Sequence, residues 1–276
     1  MPFVKFSKDI PSNFRELCYN DSNIPEQDLT LAAKSLSVVP NQQDIAVCTL
    51  AYNEICILPA FYRWIKNWAK IWVVLDHNSN DGTLEFIEHM KNRNEMQIIL
   101  KEEPEGLSNG LWAEWNKVIE LAENTNCKWI WKGYPDEFPS PEIIDLSSIL
   151  KDEASYYFYR YNLSNLFPLL RNKAGEDWFP YLWPSSWNMR FQEVTNIHIK
   201  EPFLYFGRRV IESPFLHVVH VGECRNFNKV REKEAIYEKL SPGVTVMGKD
   251  WDIRKKQQFV NISEECTNGW IINLLE

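Results

Sequence analysis

The stretch from Ile45 to Thr83 constrains this chain more than any other. It reads IAVCTLAYNE, then an amphipathic segment, then IWVVLDHNSNDGT. IAVCTL and IWVVLD are short continuous apolar runs, the pattern of strands buried on both faces. Between them, ILPAFYRWIKNW places Ile57, Phe61, Trp64, Ile65 and Trp68 at helical spacing. Strand, helix and strand in this order define a parallel unit, and ligands of open α/β sheets bind outside the strand carboxyl ends. Asn53, Glu54, Asp76, Asn78 and Asp81 follow those two ends, so the chemistry is expected where they converge.

The alternation continues. Ser79-Asn80-Asp81-Gly82 is a strong turn signal. A helix (TLEFIEHMKNR), a strand (QIIL), a helix (LWAEWNKVIELAEN) and a strand (KWIWKG) follow. Pro135, Pro139 and Pro141 then break the chain, and PEIIDLSSIL reads as a helix with Ser140 as N-cap and Pro141 at its first position. Past Lys151 the pattern changes. SYYFYRYNL and FLHVVHV read as strands, residues 165–190 as irregular, and NFNKVREKEAIYEKL as a charged amphipathic helix. The expected class is α/β: a mostly parallel sheet flanked by helices, with right-handed crossovers. Residues 1–43 read as an N-terminal extension, 44–150 and 151–240 as two halves, and 241–276 as a C-terminal tail packing on the domain.

The chain has 276 residues, 45% of them hydrophobic, enough for one sizeable core or a core plus a subdomain. Net charge is −8 with no Lys/Arg block, which disfavours a general duplex-binding face and leaves room for a small basic pocket. The six cysteines form no CxxC pair, and Cys48 lies within an apolar strand as a small hydrophobe. No run of about 18 apolar residues predicts a membrane span. With no apolar leader near the N-terminus, a cytoplasmic protein is expected.

Four segments can carry chemistry. In TLAYNE, Tyr52 can stack on a planar ring, while Thr49, Asn53 and Glu54 can bond a ring edge or ribose; the plainer reading is a turn with a helix cap. In LDHNSNDGT, Asp76 can accept from a base N–H or instead hold an Asx-turn with Asn78 and Ser79. In KGYPDEF, which Lys132 opens, adjacent carboxylates can hold a divalent cation against a diphosphate. In FLHVVHVGECR, His217 and His220 fall on opposite faces of a strand, and His220 is the one expected in the crevice, as a metal or phosphate ligand. Arg225 and Lys229 can neutralise a leaving phosphate. The aromatics between Tyr156 and Phe206 can stack on sugars or fill a core.

Taken in order, TLAYNE, WVVLDHNSNDGT, SNGLWAEWNKVIELA and WIWKGYPDEF resemble the motifs of a family-2-like glycosyltransferase with the GT-A fold, a Rossmann-like nucleotide-diphospho-sugar transferase fold. The resemblance covers residues 44–150 well and 210–235 weakly. It implies inverting transfer of a sugar from a nucleotide-diphosphate donor to an acceptor hydroxyl. The 44–150 half would bind the donor and 151–240 the acceptor. Carried over, Thr49, Tyr52 and Glu54 line the base pocket, with Asn53 and Asn78 beside it, and Asp76 reads the base edge. Gly110 lets a helix approach the donor, and Asp136 holds Mg²⁺ or Mn²⁺ with Glu137 and His220. Lys132, Arg225 and Lys229 complete the donor-binding set. The catalytic base falls to Asp177, then Glu176, then Glu193. The chain departs from the family's D-x-D pattern: Tyr134 stands where the first Asp belongs.

Two other readings remain. A sugar nucleotidyltransferase would need a Gly-rich cationic loop after the first strand, which TLAYNEICILPA lacks. A catalytically inactive carbohydrate-binding or scaffold protein would release no nucleoside diphosphate. The acceptor can be a saccharide or another hydroxyl compound; the acidic net charge disfavours a polynucleotide.

Overall fold

The computed structural model describes residues 43–103, 111–148, 150–151, 154–166, 169–192, 209–222 and 259–261. Within 164–166, 169–176 and 259–261 it describes the backbone alone. The first half of the described chain alternates as expected: β1 (Gln43–Ala51), α1 (Leu58–Ile65), β2 (Ala69–Asp76), α2 (Thr83–Arg93), β3 (Gln97–Glu102), α3 (Leu111–Glu123) and β4 (Trp129–Lys132). These four strands pair parallel in the order β3-β2-β1-β4. The order reverses at β1, because β2 and β3 stack to one side of it and β4 to the other. In a doubly wound sheet such a switch point opens a crevice at the carboxyl ends of the flanking strands.

Side-chain alternation divides the core in two. Ile45 and Val47 of β1 pack with Phe61, Trp64 and Ile65 of α1 and with Phe86 and Met90 of α2. Ala46, Cys48 and Leu50 face the other way, toward Trp115, Val118 and Ile119 of α3. Helices therefore cover both faces, and β1 from Ile45 to Ala51 is buried and apolar but for Thr49. Cys48, Cys56 and Cys127 are buried free thiols.

The second half departs from a simple parallel sheet. It comprises β5 (Glu137–Pro139), a 3₁₀ helix (Pro141–Ser148), β6 (Ala154–Leu166), β7 (Leu169–Pro184), β8 (Arg209–His220) and β9 (Phe259–Asn261). The sheet continues from β4 through β7, β6 and β8 to β5, with β9 on β7. It is mixed: β7 runs antiparallel to β4 and β6, β6 pairs parallel with β8, and β5 antiparallel with β8.

Three expectations are corrected here. Residues 169–184 are a strand within the stretch expected to be irregular, since pairing with β4 and β6 overrides the weak local signal of its prolines. The proline-rich break contains β5, an edge strand that places Pro139 where no ladder N–H is needed. The helix after it is 3₁₀; Ser140 Oγ accepts from His217 N at 3.2 Å instead of capping it.

The two halves are joined through Trp131. Its ring stacks on Phe158 at 5.6 Å and on Tyr181 at 5.3 Å, each at 20°, and meets Trp68 edge-on. Replacing Trp131 with Ala is expected to cost about 3–5 kcal/mol in urea unfolding. A loss below about 1 kcal/mol would show that the halves do not depend on this contact.

Candidate active site

The tips of β1 and β2 are stitched into one unit. Ala51 pairs in register with Asp76, and His77 N donates to Ala51 O at 3.0 Å. The following loops interlock through side chains. Asn53 N donates to Ser79 Oγ (2.9 Å) and Asn80 N to Asn53 Oδ1 (2.9 Å). Glu54 N donates to Thr83 Oγ1 at 2.7 Å, and that hydroxyl donates to Asp81 Oδ1 at 2.6 Å. Asn53 and Asn78 adopt positive φ, a conformation Asn tolerates in tight turns.

This stitching decides what several candidates can do. Asp76 is fully buried, and its two oxygens accept from Ser79 N (2.9 Å) and Ser79 Oγ (2.6 Å). The Asx-turn reading describes it; no base edge reaches its carboxylate in this conformation. Burial raises its pKa, partly offset by the Ser79 hydrogen bonds. Thr49 does not line a pocket either. Alternation turns it under α1, where its hydroxyl accepts from the Trp72 indole at 3.1 Å. Glu54 is buried at the start of α1, where its carbonyl accepts from Ile57 N and Leu58 N. Tyr52 and Asn78 are the two named candidates left exposed at this rim.

On the other side of β1, Lys132 pairs with Cys48, and Gly133 N donates to Cys48 O at 3.1 Å. The Tyr134-Pro135-Asp136 turn therefore leaves β4 at the same sheet edge as Asp76, with β1 between them. Asp136 is 2% exposed, and its Oδ2 lies 3.5 Å from His220 Nε2. The other ring nitrogen, Nδ1, lies 3.1 Å from Asn162 Oδ1. The His220 ring therefore bridges Asn162 of β6 and the Asp136 carboxylate. Gly222 leaves room for this approach: a Cβ there would come within 2.6 Å of His220 Nε2 and 2.9 Å of Asp136 Oδ2.

Glu137 does not join this pair. Its oxygens accept from Arg160 Nη1 at 3.1 Å and from Tyr134 N at 3.3 Å. Among the described residues, no group of three or more His, Cys, Asp or Glu side chains is arranged to hold a metal ion. Two ligands about 2.1 Å from one ion in adjacent positions lie about 3.0–3.4 Å apart, and Asp136 and His220, at 3.5 Å, stand just beyond that spacing. The Nδ1 contact of His220 is the outer support such a ligand needs.

Arg160 was not singled out by sequence reasoning, since a lone Arg in SYYFYRYNL reads as a strand interruption. Its guanidinium lies 4.0 Å from the Phe179 ring centroid and ties β6 to Glu137. It pairs in register with Asp177, which is exposed. Asp177 thus shares a sheet face with Arg160 and Phe179. Tyr159, Tyr161, Trp178 and His217 pack together on the opposite face, as alternation requires. Glu176 is described in backbone only, and Gly110, Glu193, Arg225 and Lys229 lie outside the described residues.

Lys132 turns to the α3 face. Its ammonium lies 4.9 Å from the Trp115 ring, 5.1 Å from Tyr134 and 5.8 Å from Phe191. Burial pushes its pKa down to about 8, against the upward pull of Glu137. His77 and Glu114 also escaped notice in the sequence. Nε2 of His77 faces Glu114 Oε2 at 3.6 Å, and Lys117 meets the other Glu114 oxygen at 3.1 Å, tying the first turn of α3 to the tip of β2.

These features define a Rossmann-like α/β protein whose strand order reverses at β1. Among solved structures, S. aureus TarS 1-349 matches with a TM-score of 0.45 and 12% identity, over 71% of this chain and 64% of that one. TarS 1-349 in complex with UDP matches with a TM-score of 0.45 and 13% identity, over 71% of this chain and 70% of that one. The inositol-1-phosphate CTP transferase from T. maritima matches with a TM-score of 0.39 and 12% identity, over 75% of this chain and 99% of that one. Likenesses this distant assign no chemistry to the chain. No protein-family model and no curated protein matches it. No helix among the described residues is long and apolar enough to cross a membrane.

Burial holds His77 and His217 below the usual histidine pKa. The unfolded chain therefore binds protons that the folded chain refuses, and stability falls as pH drops below about 6.5. The urea midpoint is expected to be lower at about pH 5.5 than at about pH 7.5, and His77→Gln should narrow that difference. An unchanged difference would show that His77 contributes nothing to it.

Proposed function

We propose that this chain is a GT-A-type glycosyltransferase that moves a sugar from a nucleotide-diphosphate donor to an acceptor hydroxyl, with inversion. The observation that carries the reading is the Asp136–His220 pair, set on the same sheet edge as the β1 and β2 tips and given room by Gly222. A cleft at a switch point with an exposed Tyr and Asn at its rim suits a nucleoside. Tyr52 stacks on the base, and Asn78 hydrogen-bonds its edge or the ribose. Asp76 acts through the turn that it holds rigid. The pair of buried Asp136 and half-buried His220 lies where the diphosphate would end.

Asp136 and His220 would hold Mg²⁺ or Mn²⁺, which when bound offsets the charge growing on the departing diphosphate. Asn162, against Nδ1, would hold the His220 ring with Nε2 toward Asp136. Asp177 takes the proton of the acceptor hydroxyl, opposite the leaving group. Arg160, beside it in register, fixes the local charge and presents Phe179 as the neighbouring apolar surface for an acceptor. The aromatic group of Tyr159, Tyr161 and Trp178 lies on the other face and belongs to a different contact.

The purified protein is expected to release a nucleoside diphosphate from a nucleotide sugar. Release of inorganic pyrophosphate would point to nucleotidyl transfer, and binding without turnover to a carbohydrate-binding protein. Asp177→Asn should lower turnover by about 10²–10⁴-fold with little change in donor affinity. Near-normal turnover in that variant would remove Asp177 from the role. Gly222→Ala, which crowds both members of the pair, should weaken Mn²⁺-supported donor binding by about tenfold. Unchanged binding in Gly222→Ala would contradict a metal between Asp136 and His220.

A further inference from the structure

Lys132 is a buried charge that the fold compensates only in part, through the pull of Glu137. It is 6% exposed, at the last position of β4. Among the described residues no carboxylate forms an ion pair with it. The charges around it are already engaged. Glu137 is held by Arg160, Glu114 on α3 by Lys117 and His77, and Arg190 beside Phe191 by Glu123. Its immediate neighbours are three aromatic rings, whose faces attract a cation but carry no net charge. An unpaired buried ammonium is costly, and such groups mark sites where a ligand supplies the missing charge.

Its place in the sheet says which ligand. Lys132 pairs with Cys48 of β1, the switch-point strand, and immediately precedes the turn to Asp136. Tyr134 in that turn stands where the resembled family carries a carboxylate. Here the position is an aromatic ring, with its hydroxyl accepting from Trp115 Nε1 at 3.0 Å and its face against Lys132. The turn has lost one negative charge, and the strand leading into it holds a buried positive one. Both changes favour an anion at the cleft.

We infer that Lys132 is a built-in cation for the diphosphate of the donor, so that the cleft binds a diphosphate without a divalent metal. This inference rests on the donor reading and extends it. Lys132 acts as a fixed positive charge in a low-dielectric pocket, held in place by Trp115, Tyr134 and Phe191, where a charge acts more strongly than at a wet surface. A metal at Asp136 and His220 then adds to binding without being required for it.

The test is calorimetric titration of the full chain with UDP, ADP and inorganic pyrophosphate, each in EDTA and in Mn²⁺. The wild type is expected to bind a diphosphate in EDTA, within about tenfold of its affinity in Mn²⁺. Lys132→Met should weaken metal-free binding by about tenfold or more and Mn²⁺-supported binding by less. Lys132→Arg keeps the charge and should restore most of the metal-free binding. Should Lys132→Met fail to fold, the wild-type EDTA arm and Lys132→Arg still decide. Binding in Mn²⁺ that vanishes in EDTA overturns the inference and leaves the donor reading standing. Metal-free binding unchanged in folded Lys132→Met overturns it too. Pyrophosphate binding that depends on Lys132, without a preference for nucleosides, supports the cation role and counts against the nucleotide donor. No diphosphate binding under any condition overturns both.

Discussion

Everything at the cleft depends on β1 pairing parallel with two neighbours at once. Its pairing with β2 sets Ala51 beside Asp76, and its pairing with β4 sets Cys48 beside Lys132. A slip of one residue on either side would exchange the two faces of a strand. Cys48 and Leu50 would then leave the α3 core, and Thr49 would lose the Trp72 indole. Apolar burial on both faces of β1 therefore fixes the register, and the register fixes which polar groups meet at the edge.

Two kinds of polar group meet there. Asn53, Asp76, Ser79, Asp81 and Thr83 use their hydrogen-bonding capacity on one another, which makes the rim rigid and leaves few of them for a ligand. Asp136, His220 and Lys132 form the second kind, ionisable groups packed closely at the end of β4: Asp136 Oδ2 lies 3.5 Å from His220 Nε2, and the buried Lys132 ammonium lies against rings and within the pull of Glu137. A folded protein bears such costs where a bound partner offsets them. The stitched rim holds the strand tips rigid, and the ionisable groups beside it carry the proposed binding.

The sequence made the first half of the fold legible because its signals are local. Apolar runs of strand length, helical spacing and the Ser-Asn-Asp-Gly turn all place β1 through β4 correctly. The second half was harder because it is built by long-range pairing. β7 carries prolines and little alternation, and becomes a strand because β4 and β6 flank it. The same division holds at the site. Strand alternation allowed only one of His217 and His220 toward the strand end, the polar residues after His220 favoured that one, and its Nε2 lies beside Asp136. Thr49 was misplaced because its nearness to a strand end outweighed the alternation that buries it. Arg160, His77 and Glu114 had no signal, since Glu137 is brought to Arg160, and His77 and Glu114 to each other, only by folding. Glu137 was assigned to a metal from its adjacency to Asp136, but neighbouring residues diverge, and Arg160 draws it away.

The most direct test is anomalous diffraction from crystals of the chain grown with Mn²⁺ and a nucleoside diphosphate. The account predicts a manganese peak between Asp136 Oδ2 and His220 Nε2, with the diphosphate reaching from it toward the β1–β4 crevice and the base against Tyr52. Manganese bound elsewhere, or a nucleotide seated away from the strand tips while Asp136 and His220 stay bare, would contradict it.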